Sequence, residues 1–234
     1  MLSFIIPTLN EEKNIEQLLK CLTKQTSKND EVIVVDSFSK DKTAKVAKKY
    51  KAKVILRPKQ GVGLARTEGA KEAKNDILVF LDCDCILAPD YVKRLKNNFA
   101  KNDLEALGGF DLYSSDSKIW EFIYNFYSLF VFTIVRIIHI ITGKYWFAAN
   151  NCAMKKELFF KVGGYRSVIM EDTDFMHRAP PNRKVKYDWK VVLTLSDRRF
   201  KQDGFFRTIA LWIWSDISAL FGKGIDVMKG YTKN

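Results

Sequence analysis

The first hundred residues alternate two kinds of pattern. Mainly apolar runs of strand length lie at 2–7, 31–36, 52–57 and 76–82, and between them apolar residues recur at helical spacing. Continuous rather than alternating apolar strands are buried on both faces, so the order strand, helix, strand, helix predicts a parallel α/β sheet covered by helices on both sides. Asn10 is the expected N-cap of the first helix, with Glu11 and Glu12 favourable to its dipole. A further helix begins near Pro89 and Asp90, and 105–113 reads as another strand.

Two of these strands end in acids, at Asp36 and at Asp82-Cys83-Asp84. Ligands of open α/β sheets bind at the carboxyl ends of strands. Alternation along a strand predicts that Asp82 and Asp84 share one face while Cys83 and Cys85 take the other. Two such oxygen donors suit a hard divalent cation, Mg²⁺ or Mn²⁺, and through it a diphosphate. The bland alternative for Asp36 and for the Asp-x-Asp pair is a turn and a helix cap. Between the third and fourth strands, Gly61 and Gly63 permit close backbone approach and Arg66 offers a forked donor for phosphate, but the full dinucleotide fingerprint is absent.

The segment 118–142 breaks the pattern. Glu121, Asn125, Ser128, Arg136 and His139 fall near one stripe at helical spacing, and aromatic and branched residues cover the rest. Its uncharged run, 122–135, is shorter than the ~20 residues a transmembrane span needs. The readings left are a helix buried against the domain and a helix lying in a bilayer interface. Tyr145 and Trp146 after Lys144, with the Trp-rich segment 205–214, fit a headgroup zone, although tryptophans also serve as core. Two such apolar helices equally suit burial in a homo-oligomer.

A net charge of +12 favours an anionic partner, yet acids at several strand ends would repel nucleic acid, which is therefore not the expected partner. Many lysines, such as Lys42, Lys45, Lys48 and Lys49, belong to the solvated faces of predicted helices. Four cysteines without zinc spacing, and no secretory segment before Met1, predict a cytoplasmic protein without disulfides, peripheral on the cytoplasmic face of the membrane.

Six blocks carry a resemblance, in order and spacing: Phe4 to Glu11, Val34 to Thr43, Gly61 to Gly69, Leu81 to Asp84, Ala149 to Met154 with Gly163-Gly164-Tyr165, and Met170 to Phe175. Together they resemble the inverting family-2 nucleotide-sugar glycosyltransferases of GT-A fold. The stretch from Leu195 to Gly204 is similar to a basic ending of a subgroup. The resemblance implies that Pro7, Thr8 and Glu11 line the nucleotide pocket, that Asp36 meets base or ribose, and that Arg66 helps hold the nucleotide. It implies further that Asp82 touches ribose or sugar, that Asn151 is among the nucleotide-sugar-binding residues, that Asp84 binds the metal, and that Asp172 is the catalytic base supported by Glu171. The acids at Glu171, Asp172 and Asp174 also fit the plain reading of a helix N-terminus. The Gln-x-x-Arg-Trp block of processive synthases is absent, which implies addition of a single sugar.

The expected fold is one GT-A-like α/β domain, 1–204, with a hydrophobic helical insertion at 118–143 and a helical appendage at 205–234. The expected reaction is metal-dependent, inverting transfer from a nucleoside-diphosphate sugar to a membrane lipid or lipid-linked glycan, the leaving diphosphate stabilised by cation and arginines, with Arg198 or Arg199 assisting. A nucleotidyltransferase would want a glycine-rich loop after the first strand, where this chain has Pro7-Thr8-Leu9. A non-catalytic basic docking protein would have no use for the strand-end acids.

Overall fold

The structure is a computed structural model that describes residues 1–58 and 61–220; Gln60, expected to open the third helix, and the end of the appendage, 221–234, lie outside the described residues. The predicted alternation is present as β1 (Leu2–Thr8), α1 (Glu12–Gln25), β2 (Glu31–Asp36), α2 (Thr43–Lys49), β3 (Lys53–Leu56), α3 (Val62–Lys71) and β4 (Ile77–Leu81). These four strands pair in parallel with β1 and β2 central. Their apolar residues split between two cores. Leu2, Phe4 and Ile6 pack with Ile15, Leu18 and Leu22 of α1, while Ile5, Val35, Leu78 and Phe80 pack with Ala65 and Ala70 of α3. That two-sided burial is why these strands read as continuous runs.

The second half contains β5 (Cys85–Leu87), α4 (Tyr91–Lys101), β6 (Ala106–Ser114), α5 (Lys118–Thr142), β7 (Asn151–Lys155), α6 (Lys156–Val162), α7 (Glu171–Arg178), β8 (Val185–Ser196), α8 (Arg198–Asp203) and α9 (Phe205–Leu220). The sheet order is β3-β2-β1-β4-β7-β6-β8-β5. Strand β7 runs antiparallel between β4 and β6, and β5 antiparallel to β8, so this half is mixed rather than parallel. The whole matches the GT-A α/β architecture expected from the sequence.

Two local expectations give way. Asn10 does not cap α1: it sits at φ 55°, and its side-chain oxygen accepts from the Lys40 backbone, while Glu11 occupies the cap position without a side-chain bond. The Asn10 backbone donates to Ser39 and that of Glu11 to Thr43, so the loops after β1 and β2 are laced together. Asp82 and Asp84 do not share a strand face, because β4 stops at Leu81 and the two acids stand in the turn before β5. Cys83 and Cys85 do point into one core, as expected.

Helix α5 is continuous over its 25 residues and is not buried, which removes one of its two sequence readings. By length and composition it could cross a membrane, so the short uncharged run was too strict a reason to exclude that. Its attachment to the domain argues for another placement. Strand β7 pairs with β6 only over Ala106, Leu107 and Gly108, which leaves the edge of β6 beyond Gly108 without a strand there. The N-terminal half of the polar stripe of α5, Glu121, Asn125 and Ser128, covers that edge. Asn125 accepts from Tyr113 N and donates to Tyr113 O, at 2.8 and 3.0 Å, Ser128 donates to Asp111 O, and Glu121 accepts from Ser115 N. Residues 111, 113 and 115 recur at the strand period, so the helix satisfies alternate backbone groups of an exposed edge. The apolar majority consequently faces outward, with Phe122 71%, Ile140 78% and Ile141 75% exposed.

Helix α9 begins inside an aromatic cluster. Phe205 lies 5.3 Å, centroid to centroid, from both Tyr124 and Phe200, and Trp212 lies 6.3 Å from Tyr127.

Candidate active site

Three chain segments bring acids to one cavity of about 1380 Å³, lined by Asp82, Asp84, Asp111, Glu171 and Asp172. The turn after β4 supplies Asp82 and Asp84. Strand β6 supplies Asp111, and the first turn of α7 supplies Glu171 and Asp172. Met170, just before them, is held at φ 57°, ψ 58°. A non-glycine residue there costs of order 1–3 kcal/mol, a strain that the surrounding packing must offset and that occurs preferentially at functional sites.

Arg66 organises this group. It is 3% exposed, and its two terminal nitrogens bond Glu171 and Asp82. Burial alone would ease its proton off, but those two carboxylates hold its affinity for the proton above the ordinary arginine value. The resemblance implies that Arg66 helps hold the nucleotide; in this structure its two terminal nitrogens are engaged by carboxylates, so it ties Asp82 to Glu171. Gly63 permits the packing around it, since a Cβ there would meet Arg166 O at 2.3 Å and Glu171 Cβ at 2.9 Å. The close approach predicted for that glycine exists, and its partner is protein.

Asp172 accepts from Ala149 N at 3.2 Å and from Thr173 N at 2.9 Å, which aims its carboxylate while leaving it at the cavity wall. Glu171 is buried, and burial, opposed by Arg66, raises its carboxyl above the usual range. Asn151 is likewise engaged within the protein. It is 2% exposed, donating to Asp111 at 2.6 Å and accepting from the Tyr91 hydroxyl at 2.8 Å, whereas its neighbour Asn150 lines the cavity. Asn151 therefore holds Asp111 in this structure.

Asp84 faces Arg198 at 3.3 Å, and Arg198 reaches Glu11 at 3.1 Å. Burial, then the charges of Asp82 and Glu11, raise the Asp84 carboxyl above its ordinary value, with Arg198 opposing. This concentration of hard oxygen donors with surplus negative charge fits a divalent cation. Among the described residues no three His, Cys, Asp or Glu side chains form a complete cage. Mg²⁺ and Mn²⁺ use one or two carboxylates and complete their shells with water and substrate phosphate. Arg199 lines the same cavity, its guanidinium 5.8 Å from the centroid of the Trp212 ring.

Pro7, Thr8, Glu11 and Asp36 lie outside that cavity, at the adjoining ends of β1 and β2. Asp36 is 1% exposed and accepts from Ser39 and, at 3.4 Å, from the Thr8 hydroxyl. In this arrangement it serves the loop, the plainer of its two sequence readings.

The residue that sequence reading missed is Asp111. It accepts from Asn150 at 3.1 Å and from Asn151, and burial pushes its carboxyl up to about 6. An acid inside an otherwise apolar strand was the available signal.

Comparisons with known proteins bear on the family and the fold. An uncharacterized glycosyltransferase of Haemophilus influenzae is 30% identical over 186 residues, covering 75% of this chain and 60% of that protein. A dolichol-phosphate mannosyltransferase of Pyrococcus furiosus is 32% identical over 126 residues, covering 51% of this chain and 36% of that protein. The chain thus spans less than two thirds of the length of either relative. Among solved structures, a mannosyltransferase from Pyrobaculum calidifontis in complex with GDP-Man and Mn²⁺ superposes with a TM-score of 0.64 at 22% identity, over 82% of this chain and 56% of that one. Residues 3–173 match the family model for Glycosyl transferase family 2, a span that includes every acid of the cavity, and the chain belongs to that family.

Proposed function

We propose that the protein transfers a single sugar, with inversion, from a nucleoside-diphosphate sugar to a lipid or lipid-linked acceptor at a membrane surface. The observation that carries the reading is the convergence of the Asp82-Asp84 turn and the Glu171-Asp172 pair on one cavity, joined through Arg66. Such transfer forms a bond between the acceptor oxygen and the anomeric carbon as the bond to the diphosphate breaks. Asp172 takes the acceptor hydroxyl's proton, and attack from the face opposite the leaving group inverts the centre. Glu171 and Arg66 position that base. Asp84, with Asp82 beside it, would hold the divalent cation, which when bound supplies positive charge to the leaving diphosphate. Arg198 and Arg199 add charge on the same side. An acceptor phosphate is anionic without a base, and for such an acceptor Asp172 positions the oxygen. Support for the cation and donor comes from the Pyrobaculum enzyme's complex with GDP-Man and Mn²⁺, and support for a lipid acceptor from the dolichol-phosphate relative and the outward apolar face of α5.

The test is a thermal-shift panel of UDP, GDP, CDP and dTDP and their common sugars, with and without Mn²⁺. One nucleotide at about 100 times its Kd should stabilise the protein by ~2.7 kcal/mol in a metal-dependent way. Asp84→Asn should abolish the metal dependence, and Asp172→Asn should lower turnover by about 10²–10⁴ with nucleotide binding kept. Silence across the panel, or unchanged turnover in both variants, overturns the reading.

A further inference from the structure

Helix α5 has two apolar faces with different surroundings. Ile119, Phe122, Phe126, Ile137, Ile140 and Ile141 face outward and take no part in the cavity. Val131, Val135 and Ile138 line it, and Ile209 and Ile213 of α9 line it as well. The cavity is therefore one continuous space, with the acids of the catalytic end at one side and hydrocarbon walls at the other. At about 1380 Å³ it exceeds the ~300–1,000 Å³ of ordinary small-molecule sites. In a nucleoside-diphosphate sugar only the faces of the base and sugar rings are apolar, and it has no hydrocarbon chain for such walls to bury. An amphiphile has one, and its apolar part gains free energy in proportion to the area withdrawn from water.

We infer that the gap between α5 and α9 binds the hydrocarbon chain of the acceptor and presents its head to Asp172. This rests on the transfer reading given above and specifies the acceptor's chemistry. Bilayer contact and acceptor binding then belong to opposite faces of one helix, so they are separable by mutation. The outward face rests on the membrane, and the inward face receives the chain drawn from it. The polar stripe between them, bound to the edge of β6, keeps the helix from rolling.

The experiment uses the full chain and dodecyl phosphate below its micelle concentration, followed by calorimetry, with inorganic phosphate in parallel, and vesicle co-sedimentation on the same proteins. Wild type should bind dodecyl phosphate saturably and inorganic phosphate at least tenfold more weakly. Val135→Trp and, on the opposite wall, Ile213→Asp should each weaken dodecyl phosphate at least tenfold yet still sediment with vesicles. Phe126→Glu should do the reverse. A diazirine-bearing alkyl phosphate should label peptides containing 131–138 and 209–213, a readout that needs no variant to fold. Equal binding by wild type and both wall variants, labelling confined to 119–126, or occupation of the groove by a second copy in sedimentation, each overturns the inference. Donor turnover without dodecyl phosphate binding would sink this inference alone. Chain binding without any nucleotide effect would sink the transfer reading while leaving the site.

Discussion

At the scale of single residues, the site depends on carboxylates whose surroundings differ. Asp111 is enclosed by β6, Asn150 and Asn151, and burial lifts its carboxyl to about 6 from an ordinary 3.8. In the unfolded chain that proton leaves near pH 4, so between pH 4 and 6 the folded state binds more protons than the unfolded state. Stability from this group is thus complete below about pH 4 and lost as pH rises through about 6. At about 1.4 kcal/mol per pH unit the loss amounts to at most ~3 kcal/mol. Thermal melts of Asp111→Asn from pH 4 to 7 should lack this downward slope, and a slope identical to wild type would refute the assignment. The residues that the family blocks identified are mostly at or beside the cavity. What sequence could not reveal is which of them touch each other: Arg66 is spoken for by Asp82 and Glu171, and Asn151 by Asp111 and Tyr91, because each is buried and a buried polar group takes the nearest partner.

At the scale of elements, α5 carries a polar stripe whose partner the sequence does not name. Its ends and its polar stripe were legible from spacing, but polar residues of a helix normally face water. Here those of its N-terminal half face the unpaired edge of β6, a partner visible only once the sheet is assembled. The parallel half was legible for the opposite reason, since burial on both faces leaves a mark in the strand's own composition. Strand β8, with Lys186, Asp188 and Lys190 among its residues and an exposed Trp189, carries no such mark. The end of α5 is fixed by Gly143 at φ 69°, whose backbone donates to His139 O and accepts from Asn182 N. A Cβ there would come within 1.9 Å of Asn182 Oδ1. Gly143→Ala should lower stability by ~1–3 kcal/mol, through left-handed strain and the displaced contact, as read by denaturant unfolding. A stability equal to wild type would mean that this turn does not secure the helix.

At the scale of the whole molecule, the membrane contact proposed above would rest on two forces of different range. The net charge of +12 attracts anionic surfaces, an effect that weakens as salt shortens the screening length from ~10 Å at 0.1 M to ~3 Å at 1 M. The outward face of α5 adds apolar area, whose contribution salt does not screen. Co-sedimentation with vesicles of mixed zwitterionic and anionic lipid should therefore fall as KCl rises from about 50 to 500 mM, down to a residue that persists, because only the first force is screened. Phe122→Glu with Phe126→Glu should remove that residue, and vesicles of zwitterionic lipid alone should show the residue without the salt-sensitive part. Were binding to vanish at high salt in the unaltered protein, charge alone would hold it at the surface, and α5 would have no place in the bilayer interface. Were the paired variant to keep its salt-resistant binding, the membrane contact would have to lie on another face, with α9 the next to test, since Phe206, Leu211 and Trp214 are also exposed.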